Sequence, residues 1–598
     1  MTVILQFGLA VWGFRPVASS DGYVRVSQRA NKSGQVVRYL QLAHNEWDAA
    51  AGVSRTKVIH SFGREDELDR AAIERLVASL SRLLGVEHSA TAAAPEGMTF
   101  TDARPMGGTY VLDALWRRLG IDTAIRAALG GRRSDPGRVE RILFALVANR
   151  AIAPSSKLAA TDWITNDTRI DGLPTVGEDA CYRAMDALLG VEAKVSREVY
   201  DRVADLLNLE VDLLFFDTTS TYFETNAGQA DEPVARDEHG RVNPHPDAQP
   251  TDAVRDVGFR THGKSKDHRP DLPQVVIGMA VTRTGIPVRV WSWPGNTSDS
   301  ALIRQVKDEM RDWTLGRVVW VADRGFTSAE NRRYLRRAGG HYIIGEKLRC
   351  GSTEANQALA RQGRYATVAA KLQVKQVNLD DADDRFVVCY NPDTAQRDAA
   401  VRERLVAQLE QTIAGSDALS NTKRAELRGV ISTKPGLNRY LRVTGGGLLR
   451  VDQAAVKNEQ RLDGKYLLRS SDPKLSTQDI ALGYKQLLEV ERGWRDMTSV
   501  LDLRPVYHRL EDRIRAHVLL CWLALLLVRV AETTTGRTWP TIRAELQRLH
   551  AITYTGAAGT LTQTTEPTKT QRDLLTALAL DAPKRILELT PATASTAA

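Results

Sequence analysis

Two apolar runs in this 598-residue chain each end in an aspartate: Leu213 to Phe216 leads into Asp217, and Val318 to Ala322 leads into Asp323. In open α/β sheets, ligands gather at the carboxyl ends of the strands, so two neighbouring strands of this design would bring both carboxylates to one spot. Paired hard oxygen donors suit Mg²⁺ or Mn²⁺. Taken singly, each aspartate reads better as a strand-to-turn junction, where Asp bonds its own backbone. The same design used twice in one region favours the chemical reading.

A third carboxylate comes from a helical stretch. At 100° per residue Glu491 returns to the face of Tyr484, seven positions earlier, together with Leu487, Leu488 and Trp494, whereas Glu489 points away. A carboxylate on an apolar stripe is costly unless something neutralises it, and a bound metal would do so. The plainer alternative is a helix-edge glutamate paired with Arg492 or Arg495.

The elements that must position these residues follow from the apolar periodicity. Residues 1–20 are an uncertain leader, and 21–85 read as a small β meander (Tyr23 to Val26, Val36 to Leu42, Lys57 to Phe62) followed by a helix from Asp66 to Leu84. The Ala- and Pro-containing stretch inside 86–105 reads as a linker. Residues 106–209 carry helical spacing and form a candidate DNA-binding domain. Strands alternate with helices over 210–348, residues 349–475 read as a β-rich insertion, 476–534 as helices carrying Glu491, and 535–598 as a C-terminal helical segment with a loose tail.

Composition bounds the function. Hydrophobic residues make up 43% and charged residues 26%, an ordinary globular balance. Lys plus Arg number 81 against 73 Asp plus Glu, a net charge of +8 that suits a polyanionic partner. The four cysteines form no Cys-x-x-Cys pair, which argues against a zinc ribbon or a disulfide framework and fits the cytoplasm. The longest apolar run, Val518 to Val528, stops at Arg529, short of the ~20 residues needed to span a bilayer, so it reads as a buried helix and no membrane is expected.

Several strings then carry a resemblance: Phe216-Asp217-Thr218-Thr219-Ser220-Thr221-Tyr222-Phe223-Glu224, Gly263 to Gln274, Trp293-Pro294-Gly295-Asn296-Thr297, Ala322-Asp323-Arg324-Gly325-Phe326, Tyr466 to Arg469, Tyr484 with Glu491, and Arg504-Pro505-Val506-Tyr507-His508-Arg509. Together they resemble DDE-type insertion-sequence transposases, specifically the insertion-sequence-four superfamily and its long-chain group with a β-rich insertion before the final glutamate. The resemblance implies an α/β, RNase H-like catalytic core, with Asp217 on its first strand, Asp323 on its fourth and Glu491 on a late helix. It implies that these three are both catalytic and metal ligands, holding two Mg²⁺ (or Mn²⁺) ions for in-line phosphoryl transfer. It implies DNA partners, the terminal inverted repeats and the target, bound by a homodimer in the bacterial cytoplasm and nucleoid.

The group's signature Tyr-x2-Arg-x3-Glu-x6-Lys falls here on Tyr484, Leu487, Glu491 and Thr498, so two basic members are missing; Arg495 or Lys485 are candidate substitutes. Tyr484, Arg495, Lys264, Lys266, His268 and Arg269 are the DNA-binding candidates. The arginine cluster Arg332, Arg333, Arg336 and Arg337 reads as a solvated helix face, and Trp291 and Trp293, on an alternating strand, read as packing residues outside the site. Two rival readings remain open, an inactive or regulatory DNA-binding derivative and a carboxylate-dependent hydrolase.

Overall fold

The structure, a computed structural model, describes residues 23–30, 36–48, 53–64 and 98–591, the last apart from 132–134, 208–212, 225–228, 238–239, 243–254, 312, 314–317, 350, 381 and 558. The leader, the expected helix from Asp66 to Leu84 and most of the expected linker lie outside the described residues. Residues 1–97 and 98–598 form two compact units.

In the first unit β1 (Tyr23–Ala30), β2 (Val36–Asp48) and β3 (Val53–Arg64) pair antiparallel in that order, the meander that the alternating pattern predicts.

The second unit begins with β4 (Met98–Pro105) and, among the described residues between Gly107 and Leu206, six α-helices and one π-helical turn, where the periodicity predicts helices. Then come β5 (Leu213–Tyr222), the short pair β6 (Val234–Arg236) and β7 (Arg255–Val257), β8 (Gln274–Thr282), β9 (Pro287–Pro294), β10 (Val319–Ala322) and β11 (His341–Glu346). They are followed by β12 (Ala366–Ala369), β13 (Leu372–Asn378), β14 (Arg385–Tyr390), the hairpin β15 (Leu441–Val443) and β16 (Leu449–Val451), and β17 (Lys465–Ser470). The chain closes with β18 (His550–Gly556), β19 (Gly559–Thr564) and β20 (Ile586–Pro591). Nine strands form the central sheet, in the order β12-β13-β14-β17-β11-β10-β5-β8-β9, so the unit is mixed α/β.

This sheet is covered on both faces, which is why β8 and β9 are buried from end to end and read as near-continuous apolar runs. Side chains alternate between the faces. Leu213, Phe215, Ile277 and Met279 join one core with Val490, Trp494 and Met497, while Leu214, Phe216, Trp291 and Trp293 join another with Ile303 and Val306 of helix Asp299–Glu309. Trp291 and Trp293 stack 6.2 Å apart in that second core, as packing residues. Helix Glu511–Thr535, which contains Val518 to Val528, is long and apolar enough to cross a membrane, but 94% of its apolar window is buried inside the protein. It is the central core helix.

The architecture departs from the sequence reading in several places. Residues 98–105 of the expected linker form β4, paired with β18. In the segment 349–475, β12, β13, β14 and β17 are not a separate β layer; they extend the sheet that carries Asp217, and residues 392–460 between them are mostly helical around a small core of Leu409, Ile431 and Leu437. Residues 535–591 hold three strands, which complete a four-stranded sheet, β20-β19-β18-β4, with the start of the unit. Finally, the stretch after Thr477 is not one helix. It breaks at Gln486 and Leu487, between helices Thr477–Lys485 and Leu488–Ser499.

Candidate active site

Strand pairing brings the two aspartates together. β10 lies parallel to β5 with Ala322 opposite Phe216, so Asp323, just past the end of β10, and Asp217 stand side by side; Asp217 lies within β5, which runs on to Tyr222, and not at its end as the apolar run predicts. Neighbouring strands are ~4.8 Å apart, which puts the two carboxylates within reach of one ion. Both aspartates line a cavity of about 1020 Å³ at this sheet edge.

Asp299, at the start of helix Asp299–Glu309, is a third acid on this wall, and the sequence reading missed it. The signal available was its place just after the Trp293 to Thr297 string; an acid in a first helical turn otherwise reads as a dipole partner. Lys264, Lys266, Arg324, Lys347 and Arg349 line the same cavity, so the acids sit inside a basic rim of the kind a phosphodiester backbone requires.

Burial pushes the Asp217 carboxyl up to about 6, and the negative charges of Asp323 and Asp299 add to the rise against Lys266 and the Thr218 backbone N–H. Its folded pKa therefore lies above that of an unfolded Asp near 3.9, and the stability this leaves at low pH is lost as pH rises from about 4 through 6. Asp217→Asn removes that cost. In denaturant melts without divalent ions, the variant's advantage over the parent is expected to grow from near zero at pH 4 to roughly 2–3 kcal/mol at pH 8. A difference that does not change with pH would show that Asp217 ionises without strain.

Tyr484 lies inside the site. Its hydroxyl donates to Asp323 Oδ1 at 2.9 Å, and its ring stacks on Tyr466 at 6.0 Å. The approach depends on Gly345 in β11, where an added Cβ would lie 2.4 Å from the Tyr484 oxygen. Burial and the Asp323 charge raise the Tyr484 pKa, so the phenol stays protonated and fixes the carboxylate's orientation.

The other sequence candidates are placed unequally. Lys264 and Lys266 line the cavity. Arg269 turns to Asp271 at 2.8 Å and lies over the Tyr222 ring, and His268 is exposed with φ of 58°. Arg495 and Lys485 are exposed, while Leu487 is buried and the Thr498 hydroxyl donates back to its own helix at Trp494 O and Arg495 O.

Glu491 is exposed in the first turn of helix Leu488–Ser499 and does not line the cavity. Because the helix breaks before Leu488, the seven-residue return from Tyr484 to Glu491 does not hold. The buried stripe is Val490, Gly493, Trp494 and Met497, and Glu489 reaches the β8–β9 turn at Gly285. The helix still covers the Asp217 side of the sheet: Gly493 abuts Met279, the cross-strand partner of Asp217. Among the described residues, no three His, Cys, Asp or Glu side chains converge closely enough to hold a metal ion.

As a donor set, Asp217 and Asp323 fit a hard divalent cation. Their oxygens are crowded and only partly compensated by Lys266 at 3.9 Å from Asp217, and Mg²⁺ is commonly held by one or two carboxylates plus substrate phosphate.

Residues 247–527 match the family model described as a transposase DDE domain, a span that includes Asp323 and Glu491 and begins after Asp217. Residues 24–91 match the N-terminal domain of the IS1634 family transposases. A search of curated proteins finds no match. Among solved structures the chain is similar to a piggyBac transposase in a synaptic complex with hairpin DNA, at 12% identity over 75% of this chain and 81% of the other, with a TM-score of 0.33.

Proposed function

Because this chain is a DDE-type insertion-sequence transposase, we propose that it cleaves the ends of its element and joins them to target DNA at the cavity walled by Asp217 and Asp323, with Glu491 as the third carboxylate. The observation that carries this reading is the in-register parallel pairing of β10 with β5, which levels the two aspartates inside a basic rim. An RNase H-like core is supported by the same sheet, where Asp217 lies on the first and Asp323 just after the fourth of the strands β5, β8, β9, β10 and β11 in chain order.

Asp217 and Asp323 would hold Mg²⁺ or Mn²⁺, and Glu491, which stands outside the cavity in this structure, would join them in the assembly with DNA, where two ions would supply Lewis acidity for the displacement. The chain's own residues do the rest. Lys264, Arg324, Lys347 and Arg349 offer cations to the DNA backbone on either side of the cut, and Tyr484 keeps Asp323 turned toward the cavity. Two protomers would pair the two ends, in the bacterial cytoplasm.

The test uses DNA carrying both ends of the chain's own element, with cleavage mapped on a sequencing gel. Nicks at the boundary are expected to require Mg²⁺ or Mn²⁺, and to fall ~10³-fold or more in Asp217→Asn and in Asp323→Asn while DNA binding persists. Cleavage that survives either substitution, or proceeds with the divalent ions chelated, would refute the assignment.

A further inference from the structure

Lys266 sits between two of the cavity's acids. Its Nζ lies 3.9 Å from Asp217 Oδ1 and 3.8 Å from Asp299 Oδ2. It donates to Thr218 Oγ1 at 2.7 Å and to the Thr218 carbonyl, and Thr218 Oγ1 in turn donates to Asp299 Oδ1 at 2.7 Å. The chain end of the lysine is fixed as well, since its backbone N–H donates to Ser220 Oγ at 2.9 Å. Thr218 is only 1% exposed, so the hydroxyl joining Asp299 to Lys266 works in a dry setting where its bonds hold their geometry.

An ammonium that touches a carboxylate directly does so at ~2.8 Å, about an ångström closer than Lys266 stands to Asp217. Asp299 and Thr218 together hold it back. If the ammonium closed on Asp217, it would occupy the oxygen a cation needs and cancel the charge that draws the cation in. Asp299 is not itself a third ligand of the pair, since no three such side chains converge among the described residues.

We propose that Asp299 is a positioning residue of this cavity: through Thr218 it draws the Lys266 ammonium off Asp217, and so keeps that aspartate open to a divalent cation. The inference rests on the reading of Asp217 and Asp323 as metal ligands and adds to that reading the group that controls access to them.

The test is Mn²⁺ binding by the full chain without DNA, followed by the electron paramagnetic resonance signal of free Mn²⁺. Asp299→Asn is expected to weaken binding about tenfold, as the ammonium moves into contact with Asp217. Lys266→Met is expected to bind at least as tightly as the parent, and the double variant Asp299→Asn with Lys266→Met to recover the parent's affinity. A purely structural role for Asp299 predicts no such recovery. The inference fails if Asp299→Asn leaves the affinity unchanged, or if the double variant binds as weakly as Asp299→Asn alone. Absence of Mn²⁺ binding in the parent, or binding that Asp217→Asn does not reduce, would instead overturn the metal-site reading and this inference with it.

Discussion

Glu491→Gln is expected to lower strand cleavage ~10³-fold while leaving binding to the element ends intact, and Glu489→Gln is expected to stay within about threefold of the parent. The two glutamates share one helical turn, so they test position rather than charge. Gly493 packs against Met279 at the level of Asp217, which puts Glu491 on a helix that crosses the face to which Asp217 belongs. The Glu489 carboxylate instead abuts Gly285, in the turn at the far end of β8. Glutamine keeps the shape and hydrogen bonding of the side chain but cannot offer an anionic oxygen to a cation. Cleavage by Glu491→Gln at the parent's rate would remove the third carboxylate from the mechanism, and equal losses in both variants would point to a general effect on the helix. The comparison is read from initial rates on the same DNA, with binding measured separately in Ca²⁺.

Arg529→Met is expected to destabilise the protein by about 3 kcal/mol, seen as a lower urea midpoint. Arg529 lies in the core helix Glu511–Thr535 with a side chain only 1% exposed, 2.7 Å from Asp496 and 2.9 Å from Glu532. The contact with Asp496 is an ion pair whose nitrogen lacks hydrogen-bond alignment, which keeps the expectation at the low end of the range for breaking a buried pair. Removing the cation leaves Asp496 without its ion-pair partner and Glu532 with only Arg492 at 3.2 Å and the Trp539 N–H, and burial already raises the Asp496 pKa. Asp496 lies five residues after Glu491 on the same helix, so the pair also ties the third carboxylate's helix to the core. Combining Arg529→Met with Asp496→Asn and Glu532→Gln should recover most of the loss. If Arg529→Met alone leaves the midpoint unchanged, the cluster is solvated in solution and does not anchor that helix.

Residues 213–217 and 318–323 show how much of the site was legible in the sequence. Each is a short apolar run that reads as a strand buried on both faces and leads into a carboxylate, although β5 continues through Asp217 to Tyr222. That pattern is local, so it survives without any knowledge of the partner strands. The N-terminal meander and the helices from Gly107 to Leu206 were legible for the same reason, because periods of two and 3.6 residues are written into neighbouring positions. The glutamate was harder. Its face was read from a continuous helix, and a break of two residues at Gln486 and Leu487 turns the helix after it, so Val490 joins Trp494 in the buried stripe while Glu491 and Leu488, both expected there, are exposed.

By itself, then, the sequence determined which apolar runs are buried strands carrying the two aspartates, that residues 107–206 are helical, and which strings match the DDE transposases. Only the tertiary structure decided the register Ala322 with Phe216 that levels the two aspartates, the joining of β14 and β17 to β11 that makes the expected insertion part of the central sheet, and the convergence of Asp299 and Lys266 beside Asp217. Asp217 and Asp299 stand 82 positions apart, and β14 pairs with β17 across 74 intervening residues, between Tyr390 and Lys465. Such pairings are selected by the shapes and burial of surfaces that exist only once the chain has folded, and no local period records them.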